Sequence, residues 1–231
     1  YFRRFIYRFV IEKTEADKMK KITLILSLLL LSCLIQAQEQ TTIKLPAPDT
    51  TGGLPFMKAL AERASVRDFD TTSPDMNIIS NLLWAANGIN RKESGKRTAP
   101  SAMNSQDVDV YLLTKQGAYL YNATAHSLEL ITGGDFRKLG AGRQESVAEA
   151  PLFCLLVSDL DRFKSGSDSL KAIWAAVDAG IVSQNISIYC SSAGLATVPR
   201  ATMDMEKLRE ILKLKNSQRL ILNHPVGFKK Q

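Results

Sequence analysis

From residue 54 onward the apolar positions change period several times, and each change marks an element. Over 55–64, Phe56, Met57, Leu60 and Ala61 share a face behind Pro55, which predicts a short helix. Thr72-Ser73-Pro74-Asp75 is a start signal for a second helix. It runs to about Ala86, with Ile78, Ile79, Leu82, Leu83 and Ala86 at helical spacing and Asn87-Gly88 as the stop. Trp84 reads as a packing residue of that helix. Period two then takes over. Residues 107–114 alternate and are rich in Val, Tyr and Leu, and 117–122 and 127–131 follow at hairpin distances, so the stretch predicts a β-meander. His126 falls in a hairpin turn, where a structural role is the simpler one. Gly133-Gly134-Asp135 opens a helical segment from Arg137 to Ala150 that contains Gln144. The unbroken apolar run over 151–158 then predicts a strand buried on both faces.

Ser167-Asp168 begins the longest helical stretch, reaching about Ala193. Apolar and small residues lie nearly all round it, which predicts a helix buried on most sides. Asp178, Gln184 and Asn185 interrupt that surface. A buried polar group costs about 1–3 kcal/mol unless paired, and pairing with neighbouring backbone is the plainest account of Asp178. Ala175, Ala176, Ala179 and Gly180 allow a second helix to approach closely, as across a two-fold axis. Residues 194–201 leave the helix as a strand-like segment with free backbone donors. Asp204 caps a helix to Leu214, and 218–228 is a final strand.

The first 53 residues carry a different pattern. Met19-Lys20-Lys21, a short apolar run to Ile35 and then Gln36-Ala37-Gln38 make a basic, apolar, small-residue order typical of a secretory signal. Residues 1–18 read as upstream sequence, 19–37 as the signal, 38–53 as a tether rich in Thr, Pro and Gly, and 54–231 as one domain. Leu30-Leu31-Ser32-Cys33 offers an alternative in which Cys33 carries a lipid anchor. Either way the mature protein is expected to be exported, to the periplasm or envelope, with no membrane span of its own.

Composition changes little in this picture. The formal charge of +7 drops to 23 basic against 20 acidic residues once 1–37 is set aside, which argues against nucleic acid as a partner. Cys154 and Cys190 sit in apolar runs and read as small buried hydrophobes, with a disulfide between them left open. Only two histidines exist, His126 and His224, and no Cys or His pair has metal-ligand spacing, so no metal centre is expected.

Two stretches suggest chemistry. In Glu62-Arg63-Ala64-Ser65-Val66-Arg67-Asp68-Phe69, two guanidiniums at i and i+4 flank a hydroxyl where the first helix ends, and such forks match phosphate oxygens. A salt-bridge ladder wants carboxylates at that spacing, and neither Glu62 nor Asp68 supplies it. The alternative is a solvated basic helix end. The second stretch, 91–106, is a polar loop carrying Arg97, Pro100, Ser101, Ala102, Asn104 and Gln106. Short amides and hydroxyls after a proline suit a polar ligand, although many such loops only connect.

Arg63, Ser65 and Arg67 followed by Asp68-Phe69, then Pro100-Ser101-Ala102 with Asn104, then the long helix with Asp178-Ala179-Gly180 and Gln184-Asn185 leading into Gly194-Leu195, resemble in that order the FMN-dependent nitroreductase family. The resemblance spans about 54–230. It implies an α+β fold, a central mostly antiparallel sheet flanked by helices with a long buried central helix, in a homodimer with FMN at the subunit interface. It further implies that Arg63, Ser65 and Arg67, helped by Lys229 or Lys230, hold the phosphate. Pro100, Ser101, Ala102 and Asn104 meet the ribityl chain and ring edge, and the backbone of Pro199, Arg200 and Ala201 lies near the ring's reactive nitrogen. The protein then needs no catalytic acid, base or nucleophile. The implied activity moves hydride between a small reduced donor such as NAD(P)H and a nitroaromatic- or quinone-like acceptor in a ping-pong cycle. The hairpin over 119–128, Gly134-Asp135 and Arg97 with Pro100-Ser101 look closest to the branch that aromatises thiazoline and oxazoline rings. An azoline-type dehydrogenase is therefore one alternative, and a non-catalytic exported flavin- or tetrapyrrole-binding protein another.

Overall fold

The computed structural model describes residues 42–230. The signal-like stretch, the upstream segment and Cys33 lie outside the described residues.

Nine strands and five helices follow one another along the described chain. Strand β1 is Thr42–Lys44, helix α1 Phe56–Glu62 and helix α2 Met76–Asn87. Strands β2 (Ile89–Arg91) and β3 (Lys96–Arg97) form a small hairpin of their own. The meander is β4 (Val108–Leu113), β5 (Gly117–Asn122) and β6 (Ser127–Gly133). Then come α3 (Arg137–Ala141), β7 (Leu152–Asp159), α4 (Asp168–Ser192), β8 (Leu195–Thr197), α5 (Met205–Ile211) and β9 (Gln218–Phe228).

Seven strands make one sheet in the order β1-β6-β5-β4-β7-β9-β8, and the β4–β5, β5–β6, β4–β7, β7–β9 and β8–β9 pairs are antiparallel. Alternation along the central strands divides the core in two. Leu152, Cys154 and Leu156 of β7 face α2 and α4, joining Leu82, Leu83, Ala179, Val182 and Ile186. Phe153, Leu155 and Val157 face the other way, against Ala141, Val147, Leu208 and Leu212. Both sets are fully buried, as the unbroken apolar run predicts. Gly140 is required on that second face, because a Cβ there would stand 2.8 Å from Phe153 Cδ1.

Helix ends follow local chemistry. Asp75 caps α2 by accepting from the Asn77 and Ile78 amides, Ser167 caps α4 through Leu170, and Asp204 caps α5 through Lys207. The long segment expected over 137–150 breaks at Gly142 (φ 59°) and continues as a 3₁₀ turn at Glu145–Val147. Thr42–Lys44, read from the sequence as tether, takes the sheet edge, and the Leu45 amide bonds the His126 carbonyl at 3.0 Å.

Two features differ from the sequence reading and matter for the site. The first helix stops at Glu62, and Arg63 already has extended backbone (φ −59°, ψ 119°). Tertiary pairing outweighs helical propensity there: the Val66 amide bonds the Thr197 carbonyl at 2.9 Å, Phe69 bridges Lys229, and Phe69 is 2% exposed. The second concerns α4. Its inner face is buried, but Leu170, Ile173 and Val177 stand 39%, 59% and 55% exposed, with Ala176, Gly180 and Gln184 also exposed. The helix is thus not buried all round in one chain. Phe56, Met57 and Leu60 of α1 are exposed too, while Ala59 faces inward.

Candidate functional site

The arginine-bearing segment is drawn along the edge of the sheet beside β8 and β9. Residues 63–68 lie outside the helix and Arg63 is extended, so strand-like alternation rather than a helical turn is what would put 63, 65 and 67 on one side. The spacing is compatible with convergence; the geometry that produces it is not the helical one. Arg63 is half-buried, Ser65 and Arg67 are exposed, and among the described residues neither guanidinium has a hydrogen bond or ion pair. Lys229 lies next to them through its bridge to Phe69, and the Lys230 amide approaches the Asp68 carbonyl at 3.4 Å. Lys230 Nζ is 3.5 Å from Glu149 Oε2, so of the two lysines Lys229 is the uncommitted one.

Arg200 belongs to the same corner but not in the expected way. Its amide bonds the Asn223 carbonyl at 2.9 Å, and β8 is paired to β9, so the segment over 194–201 does not present a row of free donors. Pro199 has no N–H, and Ala201 is exposed with no backbone partner among the described residues. The Arg200 side chain, 6% exposed, points inward. It donates to Gln144 Oε1 (2.7 Å), Gly140 O (3.1 Å), Asn223 Oδ1 (3.0 Å) and Ala141 O (2.6 Å), all of them neutral. Burial holds its pKa below the usual arginine range, and repulsion from Arg67 adds to that. Arg200 therefore acts as a buried cation stitching the end of α3 to β9.

The second stretch, Pro100 to Asn104, sits elsewhere on the chain. The Ala102 amide donates to Asp178 Oδ2 at 2.8 Å, which fixes this loop to the middle of α4. By contrast α1, leading into Arg63, docks at the far end of α4, where Ser191 Oγ donates to the Ala59 carbonyl at 2.8 Å. Thirteen residue steps separate Asp178 from Ser191, about 20 Å at 1.5 Å per residue. The two motifs are thus anchored well apart along α4. Ser101 Oγ accepts from the Gln106 amide at 2.8 Å and keeps its own proton to donate, while Pro100 and Asn104 are exposed. Ala102 has no free amide, because Asp178 takes it.

The loop is strained. Met103, Asn104 and Gln106 hold φ of 53°, 53° and 49°, the left-handed region that non-glycine residues rarely adopt. It is tied on every side. Arg97 Nε donates to Gln106 Oε1 (3.1 Å), and Arg162 donates to the Gln106 carbonyl (2.8 Å) and bidentately to Asp109 (2.9 and 2.5 Å). Asp107, fully buried, accepts from Ser105 Oγ (3.1 Å) and Ser158 Oγ (2.5 Å). The pairing anticipated for Asp178 is present. Asp107 as its partner was not visible, since an acid at a strand start reads as a turn residue. Asn185 Nδ2 reaches the Ala86 carbonyl at 3.3 Å, whereas Gln184 is exposed.

The remaining titratable groups are structural. His126 Nε2 lies 2.7 Å from Ser80 Oγ and 2.9 Å from Pro46 O, and its Nδ1 is 3.0 Å from Tyr121 Oη. His224 sits fully buried, 2.7 Å from Ser183 Oγ, and burial pushes it down to about 3, so the ring is neutral. Cys154 and Cys190 are buried free thiols with no disulfide, and burial pushes Cys154 up to about 12. No group of three or more metal-ligating side chains occurs among the described residues, and none of their helices is long and apolar enough to cross a membrane.

A seven-stranded, mostly antiparallel sheet with a 25-residue helix on one face and short helices on the other defines a nitroreductase-like α+β fold. The chain belongs to the nitroreductase family, whose model matches residues 60–228, and it is an oxidoreductase of that family; such proteins generally use FMN. A protein of Methanocaldococcus jannaschii assigned as a nitroreductase is 27% identical over 197 residues, 81% of this chain and 98% of that protein. The crystal structure of a protein of Ralstonia eutropha, also assigned as a nitroreductase, superposes with a TM-score of 0.78 at 36% identity, covering 83% of this chain and 90% of that one. A protein of Clostridium acetobutylicum assigned as an NADH oxidase shares the fold at 20% identity, with a TM-score of 0.53 over 77% of this chain and 89% of its own.

Proposed function

We propose that this protein is an FMN-dependent oxidoreductase that moves hydride from a reduced donor such as NAD(P)H to a nitroaromatic- or quinone-like acceptor in a ping-pong cycle, working as a homodimer. The observation that carries the reading is the pair of uncommitted guanidiniums, Arg63 and Arg67, on one extended segment beside Lys229. Three cations without an ion-pair partner among the described residues fit an anionic phosphate. When bound, the flavin supplies the two-electron chemistry itself, so the chain's own groups bind, orient and tune.

Arg63, Ser65, Arg67 and Lys229 clamp the phosphate. The exposed Ala201 amide and the buried charge of Arg200 place positive potential beside the ring. Ser101 and Asn104 donate to the ribityl chain and ring edge, but from the second subunit. The separation of about 20 Å between the two anchors along α4 supports that division, because it favours the two motifs of one chain serving different molecules. Leu170, Ile173 and Val177 of α4 and Phe56, Met57 and Leu60 of α1 supply the apolar face that a second copy covers. At Gly180 a Cβ would have nothing within 4 Å, which leaves room for a close approach there. The signal-like order of 19–37 supports export.

The purified protein is expected to be yellow and to release FMN on denaturation. Colourless protein that takes up no FMN overturns the reading. Anaerobic NAD(P)H should bleach it rapidly. Slow bleaching combined with oxygen-coupled oxidation of an azoline substrate would instead reassign the direction.

A further inference from the structure

Two carboxyl groups from different elements meet beneath the loop over 101–106. Asp178 comes from the inner face of α4 and Asp107 from the residue before β4, and they are 3% and 0% exposed. They share a cavity of about 10 Å³ with Asn87, Ser101 and Gln106, which has room for about one water and none for a hydration shell. Around them, Asp178 Oδ2 receives the Ala102 amide and Asp107 receives the hydroxyls of Ser105 and Ser158; among the described residues neither acid forms an ion pair, and Arg162, which is bound to Asp109, acts on Asp107 only through space. Two buried carboxylates facing each other with no cation bonded to either cannot both ionise cheaply.

We propose that the Asp178 carboxyl holds a proton against Asp107 and thereby braces the strained loop: with the proton in place the loop keeps its ligand-facing form, and when it leaves the two carboxylates repel and the loop loosens. Asp178 is then a positioning residue. It touches no ligand, but it sets where Ser101 and Asn104 stand, and this role rests on the proposed reading of that loop as a cofactor contact. Burial, and then Asp107, push Asp178 up to about 6, while the Ala102 amide works the other way. The other charged groups around the pair are Arg97 on β3, Asp109 on β4, Asp159 at the end of β7 and Arg162 after it. Arg162 is paired bidentately to Asp109, and Arg97 is bonded to Gln106. Loss of the proton therefore falls on the loop itself, through Ala102 and Ser105.

Hydrogen exchange on the full chain without flavin tests the brace. The amides of Ala102, Asn104, Ser105 and Gln106 all bond within the loop or to Asp178. Corrected for intrinsic rates, their protection should fall about tenfold as pH rises from 5 to 8, the equivalent of about one hydrogen bond. Asp178→Asn keeps the acceptor and offers an amide to Asp107, so its protection should stay high and flat. Asp178→Ala should be poorly protected throughout. A flat wild-type profile, or an Asp178→Asn profile that follows wild type, overturns the proposal. FMN titrations separate this from the cofactor reading. The flavin phosphate also titrates near about 6, so the ratio of Asp178→Asn to wild-type affinity is the readout, and it should rise several-fold above pH 6. If exchange behaves as stated and the ratio stays constant, the brace stands and the loop's role toward flavin fails.

Discussion

The corner that carries Arg63 and Arg67 and the loop that carries Ser101 and Asn104 are built on opposite principles. At the first, Arg63 is half-buried, Ser65 and Arg67 are exposed, neither guanidinium has a partner among the described residues, and the backbone is held by two apolar anchors, Val66 and Phe69. At the second, the loop amides and the side chains beneath them are committed, and the backbone is forced into three left-handed residues. A clamp for a charged group needs free donors, and rigid scaffolding behind them is enough. A contact that depends on backbone shape needs the reverse, because strain of about 1–3 kcal/mol per residue persists only when neighbours over-determine it. Asp107, Asp178, Arg97 and Arg162 are those neighbours.

The contrast can be broken most forcefully where the two regions are proposed to meet, between subunits. Val177→Glu places a charge on the exposed apolar stripe of α4. Burying it unpaired costs several kcal/mol, so dimer affinity should drop at least about a hundredfold. Sedimentation should then show monomer with its flavin lost; an unchanged dimer would remove the stripe from the interface. Next in size, Arg63→Ala and Arg67→Ala should each weaken FMN by about 1.5–3 kcal/mol, and Lys229→Ala by less. Fluorescence titration reads this, with thermal stability of the flavin-free protein nearly unchanged because those side chains hold no hydrogen bond or ion pair among the described residues. If flavin affinity is unaltered, the anion clamp is misplaced.

The loop should answer differently, through pH. The folded pKa of Asp178 lies above its unfolded value of 3.8, so its contribution to stability is complete at low pH and is lost as pH rises through about 6. Melting temperature of wild type relative to Asp178→Asn should therefore decline across that window and level off above about pH 7. A constant difference would mean the carboxyl does not titrate there. The smallest effect belongs to Asn104→Gly. Glycine accepts φ of 53° without strain, so stability should stay within about 0.5 kcal/mol. FMN binding should still weaken about threefold if the side-chain amide reaches the ligand.

Elements with a strong, uninterrupted period were legible from residues alone: β5 and β9 fall at the expected 117–122 and 218–228, and α4 within one residue of its expected end. Where tertiary pairing overrides local pattern, the sequence misleads. The helical period continues through Ala64, yet the pairing of Val66 and Phe69 with the sheet ends the helix at Glu62. Strand β1 is too short and too polar to announce itself, and β2 and β3 likewise. An all-round apolar α4 was legible as composition, but apolar residues cannot say whether their cover comes from the same chain or another. Within the site, Arg63, Ser65 and Arg67 stood out because unpaired cations at fixed spacing are unusual. The inward turn of Arg200 had no such signal, since its partners are backbone carbonyls and two amides scattered over 83 residues of sequence, from Gly140 to Asn223.

Helix α4 also works as a ruler. One end fixes the loop through Asp178 and the other fixes α1 through Ser191, so phase and distance between them are set by residue count alone. Inserting a single residue between those marks would lengthen the rod by only about 1.5 Å but rotate one end against the other by about 100°. Natural variation in length is accordingly expected in the connections outside the rod, while the count between the two marks stays constant.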